Sequence, residues 1–168
     1  MKKCVLLFSF VCVIGGPLLA AGGTTFDAVM EHYEPIRLAL LEDSMDGVND
    51  HGKAIATELR ALASDFSAER VGASGDAASI VEEKLDEMIA AADAIAEAAS
   101  LEAARDGIYA LTKPMVRWRQ GVAESDRPAV AYCPMYKRSW LQPDGQIGNP
   151  YGGMPRCGEI VSKASDPD

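Results

Sequence analysis

Residues 76–122 read DAASIVEEKLDEMIAAADAIAEAASLEAARDGIYALTKPMVRWRQGV, and this stretch decides the fold class. Val81, Leu85, Met88, Ala92, Ile95 and Ala99 recur every three or four residues. After Ser100 the same spacing resumes with Leu101, Ala104, Ile108, Leu111, Met115, Trp118 and Val122. Both stripes fit the helical period and fail the alternation of a half-buried strand. Asp76 is placed to cap the first of these helices, and the second starts near Ser100. Pro114 is expected to kink or interrupt the second, because a proline inside a helix lacks the N–H its turn requires.

The same period extends upstream. A helix is expected near Thr25 to Asp43, with Phe26, Met30, Tyr33, Ile36 and Leu40 on its apolar face. Thr24 and Asp27 have the spacing of a capping box. Pro35 should kink this helix or make it start late. Another runs from Gly47 to Asp65, carrying Val48, Ile55, Leu59, Leu62 and Phe66, and Gly72-Ala73-Ser74-Gly75 breaks the pattern after it. Four amphipathic helices with short links predict an all-α fold, an antiparallel four-helix bundle over residues 24–125. Met30, Met88 and Met115 fall on the stripes and read as core filler rather than a metal track.

The N-terminus carries Lys2 and Lys3, an apolar run from Cys4 to Ile14, a Gly15-Gly16-Pro17 break and small residues at Ala20 to Gly23. This is the grammar of a cleaved signal peptide over residues 1–22, and it predicts a periplasmic or secreted mature protein without membrane insertion. Cys4 and Cys12 leave with it. The formal charge is −9, and the distribution is uneven. Residues 24–112 carry 6 Lys and Arg against 19 Asp and Glu, whereas residues 113–163 carry 8 against 4. An acidic body argues against nucleic acid, whose phosphates need a basic surface.

Beyond Arg127-Pro128 the helical pattern stops. Val130-Ala131-Tyr132, Ser139-Trp140-Leu141 and Ile160-Val161 read as short strands, with a turn at Pro143-Asp144-Gly145. Residues 126–161 are thus expected as a loop/β-hairpin appendix held by Cys133 and Cys157 and packed on the bundle through Trp140 and Tyr151, with a frayed tail at 162–168. Cys133 has Met135 beside it and Cys157 has Met154. Three states are open to the cysteine pair. In an oxidising compartment they form a disulfide, closing a loop of about 25 residues and stabilising the fold by about 3–4 kcal/mol. As thiolates with the thioethers of Met135 and Met154 they form a soft-metal site for copper or silver. They can also remain free thiols. Zinc is not expected, since paired Cys-x-x-Cys spacing is missing.

The segments Cys133-Pro134-Met135, Trp140-Leu141, Asn149-Pro150-Tyr151-Gly152 and Met154 with Cys157-Gly158-Glu159, in that order and spacing, resemble a bacterial domain family of unknown function. That family occurs as small exported proteins and fused to periplasmic membrane-fusion adaptors of copper and silver efflux systems. Tyr33, Ile36, Leu40, Leu41 and Asp43 resemble its first helix, so the resemblance spans about residues 26–161. It implies a helical domain, a setting in heavy-metal handling, and an efflux-system protein as partner. The expectation is a non-enzymatic accessory protein that binds a soft metal or an efflux adaptor; the alternative is a disulfide-stabilised protein-interaction module with no metal role. No nucleophile elbow or phosphate-cradling glycine loop is present. His51 with Asp50 and Met45 forms a weaker ligand candidate, and His32 and His51 otherwise read as surface histidines.

Overall fold

The computed structural model describes residues 23–163. The expected signal peptide at 1–22 and residues 164–168 lie outside the described residues. The chain is mostly helical, with a small antiparallel sheet near its C-terminus. In chain order the elements are α1 (Thr25–Leu41), α2 (Val48–Ser64), α3 (Ala68–Val71), α4 (Asp76–Ala96), α5 (Leu101–Gln120), β1 (Ala129–Cys133), β2 (Arg138–Gln142) and β3 (Glu159–Ser162). Helix α1 packs on α2 and α5, α2 on α4, and α4 on α5.

The apolar stripes explain that packing. Phe26, Tyr33, Ile36 and Leu40 of α1, Ile55, Leu59 and Leu62 of α2, Met88 and Ile95 of α4, and Ile108, Leu111, Met115 and Trp118 of α5 are all fully buried. Each such side chain contributes about 1.5–3 kcal/mol of transfer free energy. Phe26 meets Trp118 edge-on at 5.3 Å, a favoured aromatic geometry. The indole Nε1 of Trp118 donates to Val71 O at 3.0 Å, which ties α3 to α5.

The ends of the helices follow their caps. At α1 the capping box is formed: Thr24 Oγ1 accepts from Asp27 N, and Thr24 N donates to Asp27 Oδ2 at 2.9 Å. Ser100 caps α5 by accepting from Ala103 N at 3.2 Å. Asp76 is not a cap: Gly75 occupies that position, and Asp76 sits in the first turn of α4, where its charge still suits the helix dipole. Neither proline ends its helix. α1 starts at Thr25 and runs through Pro35, and α5 runs through Pro114. Each proline removes one N–H donor, and the buried residues on both sides of it keep the helix together. Helix α3 was not expected from the period. Ser67 caps its start and the left-handed Gly72 ends it.

The C-terminal segment forms a three-stranded sheet in the order β2-β1-β3, both pairings antiparallel. Ala131 pairs with Trp140 and, after a bulge between Val130 and Ala131, with Ile160. Strand β3 includes Ser162, where the tail was expected to fray. Strand β2 lies against α5.

The contact between α2 and α4 is close enough to need glycine. A Cβ at Gly52 would lie 2.7 Å from Ala96 N and 2.8 Å from Ile95 Cγ2, and the first of these is backbone that cannot swing away. One turn earlier, Asn49 Nδ2 lies 3.2, 3.0 and 2.9 Å from the carbonyls of Ile95, Ala96 and Ala98, and so serves the orphan acceptors at the end of α4. Gly52→Ala gains about 1 kcal/mol of helix propensity but overpacks this crossing at about 1–3 kcal/mol. The expected result is a net loss near 1 kcal/mol, seen as a lower midpoint in urea unfolding with unchanged slope; an unchanged or raised midpoint would refute the close approach.

Candidate functional site

The Pro-, Gly- and aromatic-rich segment singled out in the sequence lies largely in the loop between β2 and β3, and the loop is held from several directions. Cys133 at the end of β1 is joined to Cys157 by a disulfide, with Cα atoms 5.6 Å apart. Cys133 is fully buried and Cys157 half-buried. Within the loop, Asn149 acts as an internal clamp. Its Nδ2 donates to Cys157 O at 3.0 Å, its Oδ1 accepts from Tyr151 N at 2.9 Å, and its backbone N–H donates to Pro155 O at 2.9 Å. The Asn149-Pro150-Tyr151-Gly152 run is therefore an Asx turn in which the side chain substitutes for backbone partners. Gln142 does the same at the other side: its Oε1 accepts from Trp140 Nε1 at 2.8 Å and from Gly148 N at 3.2 Å.

Two arginines from the helices satisfy loop carbonyls. Arg37 Nη1 donates to Gly148 O at 2.7 Å, while its Nε and Nη2 grip Glu34 at 2.7 and 2.5 Å. Arg105 Nε donates to Pro150 O at 2.8 Å, and its Nη2 reaches Leu40 O at 2.9 Å and the carboxylate of Asp43. Arg138 runs the other way, from β2 to Asp106 of α5 at 2.7 Å, and its guanidinium lies 4.9 Å above the Tyr109 ring and 5.3 Å from that of Tyr151. Gly158, at φ 141°, lets the chain pass over Trp140, because a Cβ there would sit 2.6 Å from the indole.

Two buried tyrosines close the free edge of the sheet. Strand β2 is an edge strand, so the outward Leu141 N–H and Ser139 C=O have no strand partner. Tyr33 OH accepts from Leu141 N at 3.2 Å, and Tyr151 OH donates to Ser139 O at 2.6 Å. Thr112 Oγ1 donates to Ile108 O at 2.7 Å, so the 2.7 Å contact between Tyr33 and Thr112 is a bond donated by the phenol. Burial pushes the Tyr33 hydroxyl up to about 12, and burial likewise raises Tyr151 well above its ordinary value. These tyrosines read as apolar stripe or anchor residues in the sequence; Tyr33 reaches Leu141 across 108 positions and Tyr151 reaches Ser139 across 12, so their edge-capping role has no local signal.

The four residues expected as a soft-metal set are distributed as follows. The cysteines meet as a disulfide, in which neither sulfur is a thiolate. Met135 and Met154 stay at the surface, 70% and 38% exposed. A groove of about 350 Å³ beside the loop is lined by Arg105, Asp106, Met135, Tyr136, Arg138 and Tyr151. Among the described residues no three His, Cys, Asp or Glu side chains gather as a metal cluster. Of the weaker candidates, Asp50 pairs with Lys53 at 3.4 Å, and His51 faces His32. No family model, no curated protein and no solved structure matches the chain.

The tyrosine pair gives the protein a defined alkaline limit. A phenol with a raised folded value binds its proton more tightly when folded, so its contribution is complete below about pH 10 and is lost as pH rises through 10 to 12. For Tyr33 the shift corresponds to about 2–3 kcal/mol. Chemical unfolding from pH 9 to 11.5 should show stability falling with pH, and Tyr33→Phe should be less stable at pH 8 yet show a flatter decline. Parallel declines for the two proteins would disprove the assignment.

Proposed function

We propose that this chain is an exported, non-enzymatic accessory protein of copper or silver homeostasis, and that it acts by presenting its disulfide-stapled loop to an efflux-system protein. In this reading α1, α2, α4 and α5 are an antiparallel four-helix bundle serving as scaffold, and the mature chain starts after the leader at residues 1–22. The observation that carries the reading is the groove beside the stapled loop, lined by Met135, Tyr136, Tyr151, Arg105 and Arg138. Methionine, tyrosine and arginine are the residue types favoured at the centre of protein interfaces. Clamps from Asn149, Arg37 and Arg105 pre-organise this surface, so little ordering entropy is lost on contact. The copper and silver setting, and the efflux adaptor as partner, come from the resemblance of the Cys133-Pro134-Met135 and Met154 to Glu159 segments. A disulfide agrees with an oxidising compartment.

The exposure of Met135 and Met154 favours a second reading, in which the loop also carries a soft metal ion. Thioethers bind Cu(I) without losing a proton, but the cysteines contribute only after reduction. The two readings separate experimentally. A photo-crosslinking amino acid at position 135, in cells stressed with copper, should form an adduct with the efflux adaptor, while the same group at exposed position 50 should not. Equal yields at both positions, or none, would defeat the interface. For the metal, Cu(I) is titrated against oxidised protein, reduced protein and Cys133→Ser/Cys157→Ser. Tight binding of one ion by the reduced form alone is expected; indistinguishable weak binding by all three leaves an interaction module with no metal role.

A further inference from the structure

The chain has two histidines, and they meet. His32 projects from α1 and His51 from α2, and their Nδ1 atoms lie 3.0 Å apart, with ring centroids at 5.3 Å and planes inclined by 41°. Both rings are half-buried at the seam between the helices. Two neutral imidazoles at this separation must share a proton: one Nδ1 donates and the other accepts. The lone pair of one ring is thus aimed at the same nitrogen position that the other ring would use to bind an ion.

We propose that His32 and His51 form a two-imidazole site for one divalent transition-metal ion of borderline softness, Cu²⁺ or Ni²⁺. Imidazole nitrogen is a ligand these ions favour, and tetragonal geometry is the one they prefer. Metal–nitrogen bonds of about 2.0–2.1 Å at right angles set two nitrogens about 2.8–3.0 Å apart, which is the spacing the pair already has. The χ2 torsion of histidine is broad, so the two rings can turn both lone pairs onto one point beside the seam. The ion replaces the bridging proton, which returns through solvent to Nε2 of the same ring, so no net proton is released from the neutral pair. With no third protein ligand gathered nearby among the described residues, water fills the other positions. A tetrahedral ion needs a wider nitrogen separation and is a poorer fit. The site is independent of the stapled loop and of any partner that loop contacts.

The test uses untagged mature protein with its disulfide intact, stripped with chelator and dialysed separately against Cu²⁺, Ni²⁺ and Zn²⁺. One equivalent of Cu²⁺ or Ni²⁺ should bind more tightly than Zn²⁺, and His32→Asn or His51→Asn should each weaken it by at least about tenfold. Electron paramagnetic resonance of the Cu²⁺ form should show nitrogen hyperfine splitting that changes when only histidine is labelled with ¹⁵N. That readout needs no variant and stands if a substitution unfolds the protein. Binding equal in wild type and variants, a hyperfine pattern indifferent to histidine labelling, or no bound ion at all would overturn the site.

Discussion

The phenol of Tyr33 joins the helical and β parts of this protein. It lies on α1, donates to Thr112 on α5 and accepts from Leu141 on β2. A buried backbone N–H without a partner costs about 1–3 kcal/mol, and the outward Leu141 N–H is buried where β2 lies against α5. An edge strand can be covered by an element only if that element brings hydrogen-bonding groups at the right spacing. Tyr33 and Tyr151 bring two hydroxyls, one for each orphaned group, at the end of otherwise apolar rings. Leucine at either position would fill the volume and leave the edge unsatisfied. The position of β2, and through its pairing the positions of β1 and β3, is therefore set by hydroxyl chemistry as much as by burial of Trp140.

A similar requirement explains why basic residues of an acidic body point at the loop. The segment between β2 and β3 has little regular structure, so its carbonyls cannot serve one another. Arg37 and Arg105 supply donors in a planar fork that reaches two or three acceptors at once. Burying a guanidinium is costly unless it is paired, and Glu34 and Asp43 provide the pairing. The exposed acidic residues of the helices are mostly a solvated face. Those with a structural part include Glu34 and Asp43 beside these arginines, Asp27 in the α1 capping box and Asp106 beside Arg138.

Much of the helical arrangement was legible because it rests on local signals: the stripes of α4 and α5, the capping box at Thr24, and the start of α5 near Ser100 are written within a few residues of where they act. The three short strands and the cysteine pairing were legible too, the latter as one of several open states. What escaped reading depends on contacts between distant residues. Pro35 and Pro114 look like breaks until the buried side chains flanking them are counted. Helix α3 is a single turn, too short for a period, and is recognisable only by Ser67 and Gly72 at its ends. Nothing in the sequence near His32 indicates that His51 faces it, because the register of α1 on α2 fixes that meeting. Asn49 likewise reads as an ordinary polar position until α4 ends beside it.

The disulfide and the native contacts of the loop constrain it through different states of the chain. Cys133 and Cys157 sit where β1 ends and just before β3 begins, and Tyr132 pairs with Glu159 immediately beside them. In the folded protein, strand pairing already brings these ends together, and Asn149, Gln142, Arg37 and Arg105 already hold the intervening chain. The crosslink therefore adds little to native shape. Its main effect is to remove conformations from the unfolded ensemble, by the loop-entropy argument. Reduction should accordingly cost stability while leaving two thiols near each other, in a segment that also carries the exposed Met135 and Met154. A surface whose shape outlasts its staple is suited to contact a partner in either redox state, and only in the reduced state does it have thiolate donors to offer.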